Sequence, residues 1–120
     1  MKSTTAKGNY YKRKSKEHYQ KLGYTVQLTE FTTARPIGKG KILYTKKDVF
    51  GADGIAMNGK EIIFWNSKAT APEVKDGISK MKSSAKLEFA KYPFPKNVKL
   101  QAIIWLPKKK PIIYDLSIGL

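Results

Sequence analysis

A chain of 120 residues with 41% hydrophobic content can fill one core, and it is too short for two domains of ordinary size. Lys and Arg total 24 against 9 Asp and Glu, a formal charge of +15; this exceeds what solubility requires, so a polyanion is the expected partner, nucleic acid before an anionic membrane. The absence of cysteine excludes disulfides and thiolate zinc sites, and the single His18 excludes a histidine-rich centre, leaving oxygen ligands for any metal.

Residues 1–7 are polar, basic and aperiodic, which predicts a flexible arm ahead of a single domain over residues 8–120. The arm has no apolar centre of a signal peptide, and no run approaches the ~20 apolar residues of a spanning helix; the expectation is a soluble, cytoplasmic protein without membrane contact. From Asn9 to Leu22, the residues Tyr11, Ser15, His18 and Leu22 recur at helical spacing, while Lys12, Arg13, Lys14, Lys16 and Lys21 cover the rest. Gly23 ends this helix, and Tyr24 to Glu30 alternates as a strand. The segment Arg35-Pro36-Ile37-Gly38-Lys39-Gly40-Lys41 predicts a flexible basic loop; its Gly-x-Gly lacks the third glycine and the helix of a nucleotide fingerprint.

A second strand is expected over Lys41 to Thr45. Gly54 to Met57 and Glu61 to Ser67 then form a hairpin around Asn58-Gly59, a dipeptide suited to a type I′ turn. Thr70 and Glu73 have capping-box spacing around Pro72, and Val74, Ile78, Met81, Ala85 and Phe89 line one face of the helix they would open. Tyr92-Pro93-Phe94-Pro95 breaks it. Val98 to Leu106 reads as a strand buried on both faces, and Pro111 to Leu116 is the last strand after a Lys108-Lys109-Lys110 turn.

Three polar groups can converge within this arrangement. Asn66 and Lys68 share a face by strand alternation, and Asp53, thirteen residues before Asn66, stands at the start of the neighbouring strand. A carboxylate and an amide oxygen suit a hard cation such as Mg²⁺, and a nearby lysine can orient a nucleophile or neutralise charge during phosphodiester hydrolysis. Each residue also has a plain structural reading: Asp53 as a turn residue, Asn66 as a strand end, Lys68 as a solvated cation and His18 as a packing residue. Tyr10, Tyr11, Tyr19 and Tyr24 suit either base stacking or the core.

The order Asp48-x-Phe50-Gly51-x-Asp53, then an apolar strand ending in Asn66-x-Lys68, resembles the PD-(D/E)xK nuclease superfamily, and within it small Holliday-junction-resolvase-like proteins of viruses, phages and archaea. Lys7 to Arg13 and Leu22 to Val26 resemble that group's first helix and strand. The resemblance implies a restriction-endonuclease-like α/β fold with an αβββαβ core: a central mixed sheet flanked by two helices. It implies a Mg²⁺- or Mn²⁺-dependent DNA endonuclease that acts on branched or duplex DNA as a homodimer; these expectations come with the likeness, not with the residues. Asp53 falls on the first metal-binding acid, Asn66 on the second, and Lys68 on the catalytic lysine. Lys12 falls where many relatives carry an acid, and Glu17 or Asp48 are candidate substitutes. Lys12, Arg13, Lys16, Arg35, Lys39, Lys41, Lys46 and Lys47 are the expected nucleic-acid contacts. The departures at Lys12 and Asn66 equally fit a binding protein that keeps the fold without catalysis, and the charge alone fits a structural RNA-binding protein.

Overall fold

The structure is a computed structural model that describes residues 4–29, 31–47 and 49–116, with the backbone alone described for residues 4–7, 31–33 and 45–47. Its elements in order are α1 (Thr4–Lys21), β1 (Thr25–Leu28), β2 (Phe31–Gly38), β3 (Lys41–Lys47), β4 (Gly54–Met57), β5 (Ile62–Ala69), α2 (Gly77–Ala90), β6 (Lys99–Trp105) and β7 (Ile112–Asp115). Five strands form a mixed sheet in the order β1-β4-β5-β6-β7, in which only β5 and β6 run parallel, joined by the α2 crossover. This is the expected mixed α/β architecture.

Each helix covers one face of the sheet. On the α1 side, Tyr19, Val26, Ala56, Ile63, Trp65, Ile103 and Trp105 form a buried cluster. On the α2 side, Ala85 and Phe89 pack with Ala52, Leu100, Ala102, Ile104 and Leu116. Residues 102 to 105 of β6 are buried in succession, as a central strand covered on both faces requires. The helix face matches the expected one at Tyr11, which packs against this cluster, and at Ser15, and differs beyond them. Among the described side chains of α1, Ser15 and Tyr19 are the buried ones, whereas Leu22 is 58% exposed beyond the helix end.

Ser15 fixes α1 to the sheet. Its hydroxyl donates to the Tyr11 carbonyl at 2.8 Å, accepts from Trp105 Nε1 at 2.8 Å and shares a hydrogen bond with Ser67 Oγ at 3.1 Å. Tyr19 stacks on Trp65, with ring centroids 5.7 Å apart, and its hydroxyl donates to Gln101 Oε1. Burial pushes the Tyr19 hydroxyl far above its usual pKa, so it stays a neutral donor.

Three local expectations are corrected. Residues 31–41 do not form a loop: Phe31–Gly38 pairs with Lys41–Lys47 as a two-stranded ribbon outside the main sheet. Pro36 is tolerated because each strand of such a ribbon has an open side needing no backbone donor. The β4–β5 hairpin is present, but its connection spans residues 58–61 and only Gly59 has positive φ, so the turn is not type I′. Asn58 Oδ1 instead accepts the amides of Lys60 and Glu61, each at 3.0 Å. The second helix starts at Gly77 rather than near Thr70, because the Thr70 amide donates to the Trp105 carbonyl and extends the β5–β6 ladder. Val74 is consequently outside the helix and 44% exposed.

Gly54 is required by the core. A Cβ there would lie 2.0 Å from Cζ2 of Trp65, whose indole is fully buried over the glycine. Gly54→Ala is expected to cost about 3 kcal/mol in urea or thermal unfolding, and the loss should shrink in a Trp65→Phe background that relieves the clash.

Candidate functional site

The site is built where β4 begins and β5 ends. The Gly54↔Trp65 pairing, continued by one residue, sets Asp53 opposite Asn66, and the Asp53 amide donates to the Trp65 carbonyl at 2.9 Å. Asp53 Oδ2 accepts the Ser67 amide at 2.8 Å, and Oδ1 lies 3.7 Å from Lys12 Nζ. Lys12 and Asp53 side chains are mostly covered, at 22% and 14% exposure, so their attraction is less screened than that of an open surface pair. The position at which the resemblance implies an acid thus supplies a cation to Asp53.

Asn66 is buried at 4% exposure on the face shared with Phe64 and Lys68. Its Nδ2 donates to the Gly51 carbonyl at 2.8 Å, which fixes the amide orientation, since a carbonyl can only accept. Asn66 Oδ1 is then a buried oxygen without a hydrogen-bond partner. Gly51 can present its carbonyl there because the chain turns with φ 80° and passes close to α2: a Cβ at Gly51 would lie 2.8 Å from the Glu88 carbonyl oxygen. The Phe50-Gly51 pair is therefore part of what holds Asn66. Phe50 packs edge-on against Tyr92 and Phe94, at 5.5 and 6.3 Å between ring centroids.

The backbone register sets Asp53 opposite Asn66, with Lys68 on the Asn66 face; the side-chain partners differ, the Asp53 carboxylate meeting the Ser67 amide and Lys12 from α1 and the Asn66 amide meeting the Gly51 carbonyl. Glu17 is not brought in: it lines a groove between α1 and the Lys108–Lys110 turn that includes neither Asp53 nor Asn66. Asp48 lies outside the described residues, as do the side chains of Lys46 and Lys47. Arg13 is exposed on α1 and Lys16 half-buried, while Arg35, Lys39 and Lys41 are exposed on the ribbon. Among the described residues, no three acidic or histidine side chains cluster as a metal site would. The partner of Asn66, the Gly51 carbonyl, left no side-chain signal in the sequence beyond the glycine itself.

Two further groups are shifted by their surroundings. Partial burial, and then the neighbouring Lys21, hold His18 below its ordinary pKa, so it is largely neutral at pH 7. At the far end of the sheet, the Tyr24 hydroxyl donates to Glu61, which also pairs with Lys99; these bonds raise Tyr24 and Lys99 and lower Glu61.

No family model and no curated protein matches the sequence. Solved structures do match. Hjc, a Holliday junction resolvase from the archaeal hyperthermophile Archaeoglobus fulgidus, superposes with a TM-score of 0.50 at 16% identity, over 92% of this chain and 74% of Hjc. The chain has the restriction-endonuclease-like fold of Hjc. SSO0001 superposes with a TM-score of 0.53 at 18% identity over 98% of this chain, which spans about half (54%) of that protein's length. Within this resolvase-like fold, none of the described helices is long and apolar enough to cross a membrane.

The contact between Asn66 and Gly51 explains the amide. A carboxylate in its place would point an oxygen at the Gly51 carbonyl, so Asn66→Asp is expected to lose about 1–3 kcal/mol at neutral pH. Repulsion raises the folded-state pKa of the introduced carboxyl, and the protonated acid can donate to Gly51. The deficit relative to wild type should therefore be largest at neutral pH and shrink as pH falls toward about 4, the ordinary aspartate value. Urea unfolding at several pH values reads this directly; a pH-independent deficit would contradict it.

Proposed function

We propose that the chain is a DNA endonuclease of the resolvase-like fold, acting on phosphodiesters at Asp53, Asn66 and Lys68. The observation that carries this reading is the unpartnered, buried Asn66 Oδ1 beside the Asp53 strand position, on the Lys68 face. A buried polar atom without a partner costs stability, and a ligand donor is one reason for a fold to retain it.

The donor types fit Mg²⁺ or Mn²⁺ with help from substrate: a carboxylate and an amide carbonyl would hold the ion, and water and phosphate oxygens are common completing ligands for Mg²⁺. When bound, such an ion supplies positive charge to the phosphoryl oxygen and acidifies a coordinated water. Lys68 would neutralise charge developing on the phosphate. Ser67, through its amide, holds the Asp53 carboxylate in place. Lys12 pairs with Asp53 and, at the edge of the same site, would offer its ammonium to a DNA phosphate. Arg13, Lys16, Arg35, Lys39 and Lys41 would carry the flanking backbone.

Four-way junction, flap, duplex and single-stranded DNA incubated with Mg²⁺ or Mn²⁺ test the assignment. Cleavage is expected to fall at least about 100-fold in Asp53→Ala and in Lys68→Ala. Cleavage that survives both substitutions would remove these residues from the mechanism. A second reading, binding without hydrolysis, is favoured by the Lys12–Asp53 ion pair: two ammonium groups, one carboxylate and one amide form a net positive set, better suited to a phosphate than to a cation. Under that reading wild type binds DNA but cleaves none of the substrates, and Lys12→Glu does not increase Mg²⁺ affinity in calorimetry. The homodimer carried by the resemblance is tested by light scattering, where a monomer mass at micromolar concentration would exclude it.

A further inference from the structure

A groove of about 600 Å³ runs between α1 and the turn that joins β6 to β7. Its rim carries Lys14 and Lys21 from the helix and Lys108, Lys109 and Lys110 from the turn, against one acid, Glu17. Its floor is aromatic. Tyr10 meets Tyr11 edge to face at 5.2 Å, and Tyr11 lies on Trp105 at 5.9 Å. Tyr10 is 42% exposed, with Lys14 Nζ 5.9 Å from its ring centroid. Trp105 pairs with Ala69, the next step of the ladder after Lys68 and Ile104, so the groove opens at the same end of the parallel strands as the candidate site.

We propose that this groove binds an unpaired, single-stranded segment of nucleic acid, with the lysine rim following its phosphates and Tyr10 stacking on a base. Five cations arranged along both sides of a cleft match a backbone with one charge per nucleotide. An exposed aromatic ring at the groove wall offers a base a face to stack on, which a duplex cannot use because its bases are already stacked. A small anion would need the lysines to converge on one point, whereas these line opposite walls. The groove rests on the nucleic-acid part of the reading above and is independent of hydrolysis.

Lys109→Glu/Lys110→Glu and Tyr10→Ala, with Tyr10→Trp as the stacking-competent control, test the groove in metal-free buffer at fixed salt. Lys108 is left unchanged because its backbone has φ 58°. The double lysine variant is expected to weaken binding to oligothymidine at least about tenfold and to lower the slope of log affinity against log salt by about 1.4, at ~0.7 per contact. Tyr10→Ala should weaken oligothymidine about tenfold, leave duplex binding unchanged and be restored by Tyr10→Trp. An oligonucleotide carrying 5-iododeoxyuridine should photocrosslink to Tyr10. The groove assignment is overturned if the lysine variant binds oligothymidine as wild type does, if Tyr10→Ala affects single strands and duplex equally, or if the crosslinks map elsewhere. Single-strand binding at Tyr10 by a protein that cleaves nothing would uphold the groove and defeat the nuclease reading, so the two failures are distinguishable.

Discussion

Asp53 belongs to the fold and to the candidate site at once. Its amide donates to Trp65, its carbonyl accepts the Thr29 amide at 3.1 Å, and its carboxylate meets the Ser67 amide and the Lys12 ammonium. These contacts tie together the ends of β1, β4 and β5 and the first half of α1. The carboxylate is therefore held in one orientation by a backbone donor, which does not depend on the identity of a side chain. The same contacts restrict what the carboxylate can do, because one oxygen is committed to Ser67 and the other to a neighbouring cation.

Asn66 complements this arrangement. Its position on a central strand buries it, and burial makes every polar atom consequential. One half of the amide is satisfied by Gly51; the other half is not. An acid at this position would conflict with the carbonyl that the Phe50-Gly51 turn presents. The amide, where the resemblance implies an acid, thus follows from local backbone geometry, and the Gly51 approach to α2 links that geometry to packing on the opposite helix.

Much of this was legible in the sequence because the signals were periodic. Alternation in Ile62 to Lys68 placed Asn66 and Lys68 on one face, and the continuous apolar end of β6 announced a strand covered on both sides. Signals that depended on composition failed. Gly, Pro and Lys in residues 35–41 suggested a loop, yet a ribbon with open edges accepts proline and needs no apolar face. The Thr70 to Glu73 spacing suggested a cap, yet Thr70 was already committed to Trp105 across the ladder. The Lys12–Asp53 pair joins residues far apart in sequence, and no local pattern marks it. The groove was similarly hidden, since the Lys108–Lys110 run is unremarkable until the fold places it across from Lys14 and Lys21.

The bonds at Ser15 give α1 a mechanical role. By tying Tyr11, Ser67 and Trp105 to one hydroxyl, they stop the helix from sliding along the sheet. Lys12, one turn before Ser15, then meets Asp53, while Tyr10 and Lys14 look out on the other flank. At a rise of ~1.5 Å per residue, the helix carries the groove wall from Tyr10 to Lys21 over roughly 16 Å. The separation between the candidate site and the groove is consequently set by a single rigid bar, held to the sheet at Ser15 and again at Tyr19, and any one molecule touching both surfaces would be measured against it.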